Sequence, residues 1–295
     1  MINILVTGSR GQVGQEILHH STRFPKFHFE YIDLAELDIT DASAVDHFFA
    51  NSNFQFCINC AAYTAVDKAE TNEAAATAVN VTGVRNIAKA CQAHQCRLIH
   101  LSSDYVYHND CNRPLLESDP VNPQSVYART KLQGDLVALQ ELPDSLIIRT
   151  SWVYSSFGHN FVKTMLRLGR ERDTLGIVFD QIGTPTYARH LAEALLQIIE
   201  QCSKDAEIEG GIYHYSNEGI GSWYDFAVAI FELEQINCSV RPIVSSEYPT
   251  PAARPSFSVL NKQKIRDAFG WSIPHWRVGL QECLKALETQ AANPV

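Results

Sequence analysis

A glycine-rich turn set between a strand and a helix constrains this chain more than any other stretch. Residues Ile2 to Thr7 form a short β-branched run, Gly8-Ser9-Arg10-Gly11-Gln12-Val13-Gly14 follows at once, and a helical pattern over 12–20 comes next. Glycines permit a tight turn, close approach of backbone to a pyrophosphate, and packing of helix on strand, while the free N–H groups of the helix start receive the anion. Such a turn is a weak signal by itself, but here a second strand-like run, Phe27 to Ile32, ends at Asp33. Asp33 lies 19 residues past Gly14, close to the ~20 expected of an acid that binds a cofactor ribose. The pattern predicts a dinucleotide site.

The first half of the chain alternates strands with helices. Strands are expected near 2–7, 27–33, 55–60, 97–102 and 145–150, and helices near 12–20, 41–51, 72–94 and 125–141. This alternation predicts an α/β fold, a Rossmann-type doubly wound parallel sheet. Ligands of such sheets bind beyond the carboxyl ends of the strands, where Gly8, Asp33, Ala61-Ala62, Ser103 and Trp152 all fall. After residue 150 the pattern loosens into a helix near 159–172, a strand over Gly176 to Phe179, a turn with Pro185, a helix to about 201, and Gly211 to Tyr215. Residues 222–289, around Tyr248-Pro249-Thr250-Pro251-Ala252-Ala253-Arg254-Pro255, read as a smaller C-terminal substrate-binding lobe. The expected division is 1–153, with parts of about 175–220, for the dinucleotide, and about 154–174 with 221–295 for the substrate. The last few residues read as a loose tail.

Tyr127 and Lys131 stand four residues apart in the predicted helix over 125–141, so both side chains share one face. An ammonium beside a phenol lowers the phenol from its usual ~10 by roughly 1 to 3 units. That spacing is commonplace on exposed helices; the neighbouring glycine turn makes it informative. Ser103, at the end of an apolar strand, would polarise a substrate oxygen and complete a carbonyl-reducing site.

Composition narrows the class. A formal net charge of −9 without a long basic run argues against nucleic acid as a partner. No apolar stretch reaches ~18 residues, and the N-terminus leads as a strand into the glycine turn, so a cytoplasmic protein off the membrane is expected. Cys57-Ile58-Asn59-Cys60 has the spacing of half a zinc site, yet positions three apart in a strand face opposite sides and no second pair matches it. Cys91, Cys96, Cys202, Cys238 and Cys283 are scattered, so reduced, mostly buried thiols and no metal are expected. His100, on its strand, reads as a packing residue.

The glycine turn, Asn59-Cys60-Ala61-Ala62-Tyr63-Thr64-Ala65-Val66-Asp67, Ser102-Ser103-Asp104-Tyr105-Val106-Tyr107, Tyr127 with Lys131, and Arg149-Thr150-Ser151-Trp152-Val153-Tyr154 together resemble the extended short-chain dehydrogenase/reductases. Asn160 to Arg167, Asp180-Gln181 and Tyr248 to Pro255 extend the resemblance to the branch that reduces 4-keto groups of dTDP-linked 6-deoxy sugars. It implies NADPH or NADH as cofactor, a nucleotide-sugar substrate, and reduction of dTDP-4-dehydro-6-deoxy-L-mannose to dTDP-L-rhamnose for cell-surface polysaccharide, including lipopolysaccharide. By the same resemblance Tyr127 is the proton donor, Lys131 holds the nicotinamide ribose and lowers the tyrosine pKa, and Ser103 binds the keto oxygen. Gly8, Arg10, Gly11, Gln12, Val13 and Gly14 match the pyrophosphate turn, Asp33 the adenosine region, and Asp38 and Ile39 the adenine contact. Ala61, Ala62, Tyr63, Thr64 and Leu101 lie beside the cofactor, while Ser103, Asp104, Tyr105, Trp152, Asn160 and Arg254 face the nucleotide-sugar.

Several departures matter. Ser103 stands where the branch often has threonine, and Tyr63 replaces a common histidine. Arg189 occupies the place where relatives that dimerise around Mg²⁺ carry a glutamate, so no metal site is expected; the chain would be a monomer or homodimer. A nucleotide-sugar dehydratase would need an acid after Asp104, where Tyr105 stands. An epimerase would share the tyrosine and lysine, and a regulatory subunit like that of methionine adenosyltransferase would bind without catalysing. Between the two dinucleotides the sequence is open: Asp33 suits a free ribose 2′-hydroxyl, and Arg10 a 2′-phosphate.

Overall fold

The computed structural model describes residues 1–108, 111–204 and 208–292. Five strands, β1 (Ile2–Thr7), β2 (Phe27–Ile32), β3 (Phe56–Asn59), β4 (Arg97–Ser103) and β5 (Leu146–Thr150), join a sixth, Gly211–His214, in one sheet. The order from one edge is sixth strand, β5, β4, β3, β1, β2, every pairing parallel. This is the doubly wound parallel sheet that the alternation predicts. Strands β3 and β5 are buried along their whole length, as expected where helices cover both faces. On one face α1 (Gln12–His20) and the helix Ala188–Cys202 pack over Ile4, Val6, Ile58, Ile99 and Ile148. On the other, α2 (Ala42–Ala50) and the helices Val84–Ala93 and Val126–Glu141 cover Leu5, Cys57, Leu98 and Ile147. Chain order reverses between β1 and β3, which opens a crevice at the strands' carboxyl ends.

The long helix expected over 72–94 is interrupted. Glu73–Thr77 and Val84–Ala93 are α-helical, but Ala78–Gly83 between them is a π-helical turn. The widened turn sets Asn80 facing inward, where its side chain accepts the Tyr63 N–H at 2.8 Å and donates to Thr130 Oγ1 at 3.1 Å. Gly134 of the neighbouring helix lies so close that a Cβ there would sit 2.3 Å from the Asn80 carbonyl.

Two placements add detail to the second half of the chain. The strand Thr174–Val178 pairs with Ser239–Ile243 in a separate two-stranded sheet, because Leu175 and Ile177 bury against Phe226, Ala229 and Ile230. The helix Gln263–Phe269, expected in the small lobe, instead packs Ile265 and Phe269 on the main sheet's core with Tyr213. The second core gathers Tyr154, Val162, Leu166, Phe226, Trp276 and Leu280. Cys57 and Cys60 lie in the opposite layers of the main sheet, and all eight cysteines are unpaired thiols. Among the described residues no helix is long and apolar enough to cross a membrane. The final helix runs to Ala292, so the expected loose tail falls outside the described residues.

Candidate active site

The carboxyl ends of the sheet open into a cavity of about 860 Å³. Of the residues singled out from sequence, Gly8, Arg10, Gly11, Gln12, Val13, Asp33, Asp38, Ile39, Ala61, Ala62, Thr64, Leu101, Ser103, Asp104, Tyr105, Tyr127, Lys131 and Trp152 line it. Gly14, Tyr63, Asn160 and Arg254 do not.

The glycine turn forms one end. Gly8 has φ +63° and presses on the next strand's loop, where a Cβ would stand 2.6 Å from the Ala61 nitrogen. Gly14 has a packing role, since a Cβ there would meet Ser9 Cα at 2.6 Å and the Gly8 carbonyl at 2.7 Å. Gly11 caps α1 without any side-chain bond, so the first turn presents backbone N–H groups to the cavity, the chemistry that a pyrophosphate requires. Asp33 closes that end, its Oδ2 accepting the Arg10 N–H at 2.9 Å and its Oδ1 the Leu34 N–H at 2.8 Å. Donors, glycines and a strand-end carboxylate thus fit a dinucleotide.

The other end is built on the helix Val126–Glu141. Ser125 caps it by accepting the Ala128 N–H at 3.2 Å, and Glu70 accepts the Val126 N–H at 2.8 Å. Tyr127 and Lys131 consequently point from one helical face into the cavity, with the Tyr105 ring edge-on to Tyr127 at 5.5 Å. Ser103 ends β4, its Oγ accepting the Tyr105 N–H and donating to Asp104 Oδ1, both at 3.2 Å. Burial lifts the Asp104 carboxyl to about 7 against hydrogen bonds from Ser258 and Ser103.

The expected depression of the tyrosine pKa is overturned. Burial pushes the Tyr127 phenol up to about 12, with a hydrogen bond to Ser103 pulling the other way and the charges of Asp104 and Asp135 adding to the rise. The Lys131 ammonium does not offset this; it donates to the Leu101 carbonyl at 2.7 Å. Lys131 is itself 2% exposed, and burial brings its pKa down to about 8 although Asp135 and Cys60 favour its charge.

A polar seam behind these residues was missed by the sequence reading. Thr7 Oγ1 donates to Asn59 Oδ1 at 2.6 Å, Asn59 Nδ2 lies 3.1 Å from His100 Nδ1, and His100 Nε2 lies 3.4 Å from Lys131 Nζ. The Asn59 oxygen is taken by Thr7 and the Ala61 N–H, so its amide faces Nδ1 and a neutral His100 carries its proton toward Lys131. Burial, then the Lys131 charge, holds the His100 pKa well below its ordinary value. One helical turn beyond Lys131, Asp135 accepts from Arg149 Nε at 3.0 Å, and Arg149 Nη1 donates to the Tyr107 hydroxyl at 2.6 Å. Asp135 is detectable in sequence as the i+4 neighbour of Lys131; His100 carries no local signal, because only the β4 register brings it there.

Toward the second core, Trp152 adopts φ +47° and stacks on Trp223 with centroids 3.6 Å apart and planes 6° from parallel. Gly183 lets the pair close, since its Cβ would meet Trp152 Cε2 at 2.6 Å. Asn160 caps the helix Phe161–Glu171 and donates to Gln12 Oε1 at 3.0 Å, tying that helix to the glycine turn. Arg254 forms a two-point pair with Asp67, at 3.1 and 2.8 Å, on the short helix Val66–Ala69 that follows β3. Arg189 pairs with the buried Glu16 at 3.2 Å.

Comparison with known proteins gives a consistent picture. The profile of the RmlD substrate binding domain matches residues 2–289. The dTDP-4-dehydrorhamnose reductase of Aggregatibacter actinomycetemcomitans is 39% identical over 288 residues, 95% of this chain and 98% of that protein. The crystal structure of a dTDP-4-dehydrorhamnose reductase from Clostridium acetobutylicum superposes with a TM-score of 0.92 at 39% identity, covering 97% of this chain and all of that one. A Bacillus anthracis dTDP-4-dehydrorhamnose reductase, solved in complex with NADP, superposes with a TM-score of 0.91 at 33% identity over 97% of this chain and all of its own.

Proposed function

Because this chain belongs to the RmlD substrate binding domain family, we propose that it is an NAD(P)H-dependent oxidoreductase that reduces the C4 keto group of dTDP-4-dehydro-6-deoxy-L-mannose to give dTDP-L-rhamnose. The observation that carries this reading is the convergence of Ser103, Tyr127 and Lys131 in one cavity whose other end is the glycine turn with Asp33.

When bound, the reduced dinucleotide supplies the hydride that the protein lacks. The chain's own residues handle the oxygen. A phenol raised to about 12 stays protonated at neutral pH, so Tyr127 is a proton donor ready for an oxygen that gains negative charge. General acid catalysis of this kind contributes ~10²- to 10⁴-fold. The Ser103 hydroxyl, turned from Asp104 Oδ1, would offer a second donor to that oxygen, and a protonated Lys131 would hold the nicotinamide ribose. The Trp152 indole, held flat by Trp223, gives the sugar an apolar wall that excludes water.

We assign nucleotide binding to the six-stranded half, 1–153 with the helix and strand between about 188 and 214. Sugar binding we assign to the half built on the second core, about 154–174 with 221–295 apart from the helix Gln263–Phe269, which packs on the main sheet. Asp104 and Tyr105 complete the sugar site in this reading, and Arg254 would exchange its carboxylate partner for the substrate's diphosphate. Asn160 positions Gln12, and Tyr63 supports its loop through Asn80. The enzyme would act in the cytoplasm as a monomer or homodimer, without nucleic acid or membrane.

The test is a spectrophotometric assay with the dTDP-4-keto sugar and each dinucleotide, with product analysis, on wild-type protein and Tyr127→Phe. Net dinucleotide oxidation that falls at least about 100-fold in the variant, at unchanged dinucleotide affinity, is expected. Turnover without net oxidation would make the chain an epimerase. Equal rates in the variant would remove Tyr127 from the chemistry.

A further inference from the structure

We propose that the adenosine end of this cavity selects NADH over NADPH; the inference rests on reading the cavity as a dinucleotide site. The discriminating position is the ribose 2′-substituent, which a strand-end acid binds as a free hydroxyl and a nearby arginine binds as a phosphate. This chain carries both residue types, Asp33 and Arg10, and their partners decide between them.

Asp33 is held rigidly. Its two oxygens accept the Arg10 and Leu34 N–H groups, which orients the carboxylate at the cavity wall and leaves lone pairs for a ribose hydroxyl. A 2′-phosphate placed there brings a charge of about −2 against a fixed anion. The cation that would relieve this repulsion already has a partner, because the Arg10 guanidinium is paired with Glu36 Oε1. Exposed ion pairs are weak when both partners are free. Glu36 is not free: its Oε2 accepts the Asp33 N–H at 2.9 Å. Its charge therefore stays beside the ribose position even when the arginine swings away. Asp38 adds a further carboxylate to the cavity's adenine side, itself fixed by the Thr40 N–H and hydroxyl at 2.9 and 2.8 Å. Among the described residues lining the cavity the only lysine or arginine besides Arg10 is Lys131, which lies at the tyrosine end. Asp33 on the wall and Glu36 directly behind it thus fix two negative charges at the 2′ position with one guanidinium between them.

A relative solved in complex with NADP makes the opposite outcome a real one for this fold, so the experiment must be direct. Dissociation constants for NADH and NADPH are measured on the dinucleotide-free protein by calorimetry at low and moderate salt. NADPH is expected to bind at least about 10-fold more weakly than NADH, with the gap widening as salt falls, since screening acts on charges about a Debye length apart. Glu36→Gln keeps an acceptor for the Asp33 N–H while removing the charge, and should tighten NADPH several-fold with NADH unchanged. Adding Arg10→Ala to that variant should cancel the gain. Equal or tighter NADPH binding by the wild type, or an unchanged ratio in Glu36→Gln, would overturn the selection while leaving the dinucleotide site intact. Binding of neither dinucleotide would overturn the site and the selection together.

Discussion

Lys131 is held at a cost that the fold does not need. Its ammonium is buried to 2% exposure, and its pKa falls from 10.5 to about 8. At 1.36 kcal/mol per unit that drop corresponds to about 3 kcal/mol of destabilisation while the group is charged. The sign follows from linkage. Between pH 8 and 10.5 the unfolded chain binds more protons than the folded one at this position, so wild-type stability rises with pH across that window. Below pH 8 both states are protonated and the whole penalty is present. Lys131→Met replaces the amine with an unbranched apolar chain of similar length and removes the penalty, while Asp135 keeps Arg149 at 3.0 Å. The attraction between Lys131 and Asp135 is already contained in that pKa, so the net gain at pH 7 should be about 2–3 kcal/mol. For a chain of this length that is a rise in Tm of about 3–5 °C. The assay is urea unfolding of the dinucleotide-free protein at pH 7 and pH 10.5, alongside turnover. The variant should be more stable than wild type at pH 7, nearly level with it at pH 10.5, and inactive. A variant less stable at pH 7, or a gain that persists unchanged at pH 10.5, would refute the argument.

Further outcomes follow from the same geometry. The kcat/KM for the dinucleotide should decline as pH rises through about 8, as Lys131 loses its proton, and Asp135→Asn should move that limb to lower pH by removing the charge that favours the ammonium. Arg149→Met leaves Asp135 buried without its partner and should cost about 3–5 kcal/mol in chemical denaturation, well beyond any surface substitution. Gly14→Ala drives a Cβ to within 2.6 Å of Ser9 Cα; it should lose about 1–3 kcal/mol of stability and weaken dinucleotide binding measured by calorimetry.

The sheet was legible because parallel strands buried on both faces read as continuous apolar runs, and Ile4 to Val6 or Ile147 and Ile148 show this in the sequence alone. The glycine turn was legible for a related reason: Gly8 and Gly14 stand where no Cβ fits. Less visible were effects that depend on three dimensions at once. The phenol of Tyr127 was expected to fall because Lys131 is four residues away, but spacing says nothing of the Leu101 carbonyl that draws the ammonium aside, nor of the burial that dominates. His100 became a neighbour of Lys131 only through the stacking of β4 beneath the helix. Arg254 sits among prolines in sequence, and its pairing with Asp67 spans 187 positions that no local pattern links. The strand Thr174–Val178 carried the right propensity, but propensity does not choose between two sheets.

The π-helical turn over Ala78–Gly83 makes the chain intolerant of one kind of change. Trimming one residue from it would restore ordinary helical pitch with the flanking turns nearly in place, because the widened turn is what accommodates the additional residue. Asn80 would leave Tyr63 and Thr130, and the close seat of Gly134 would be lost with it. The helix that carries Tyr127 and Lys131 rests on that seat. The length of this stretch is therefore as firmly specified as any of its side chains, and a deletion in it, where Val79 lines the cavity, would be felt at the tyrosine.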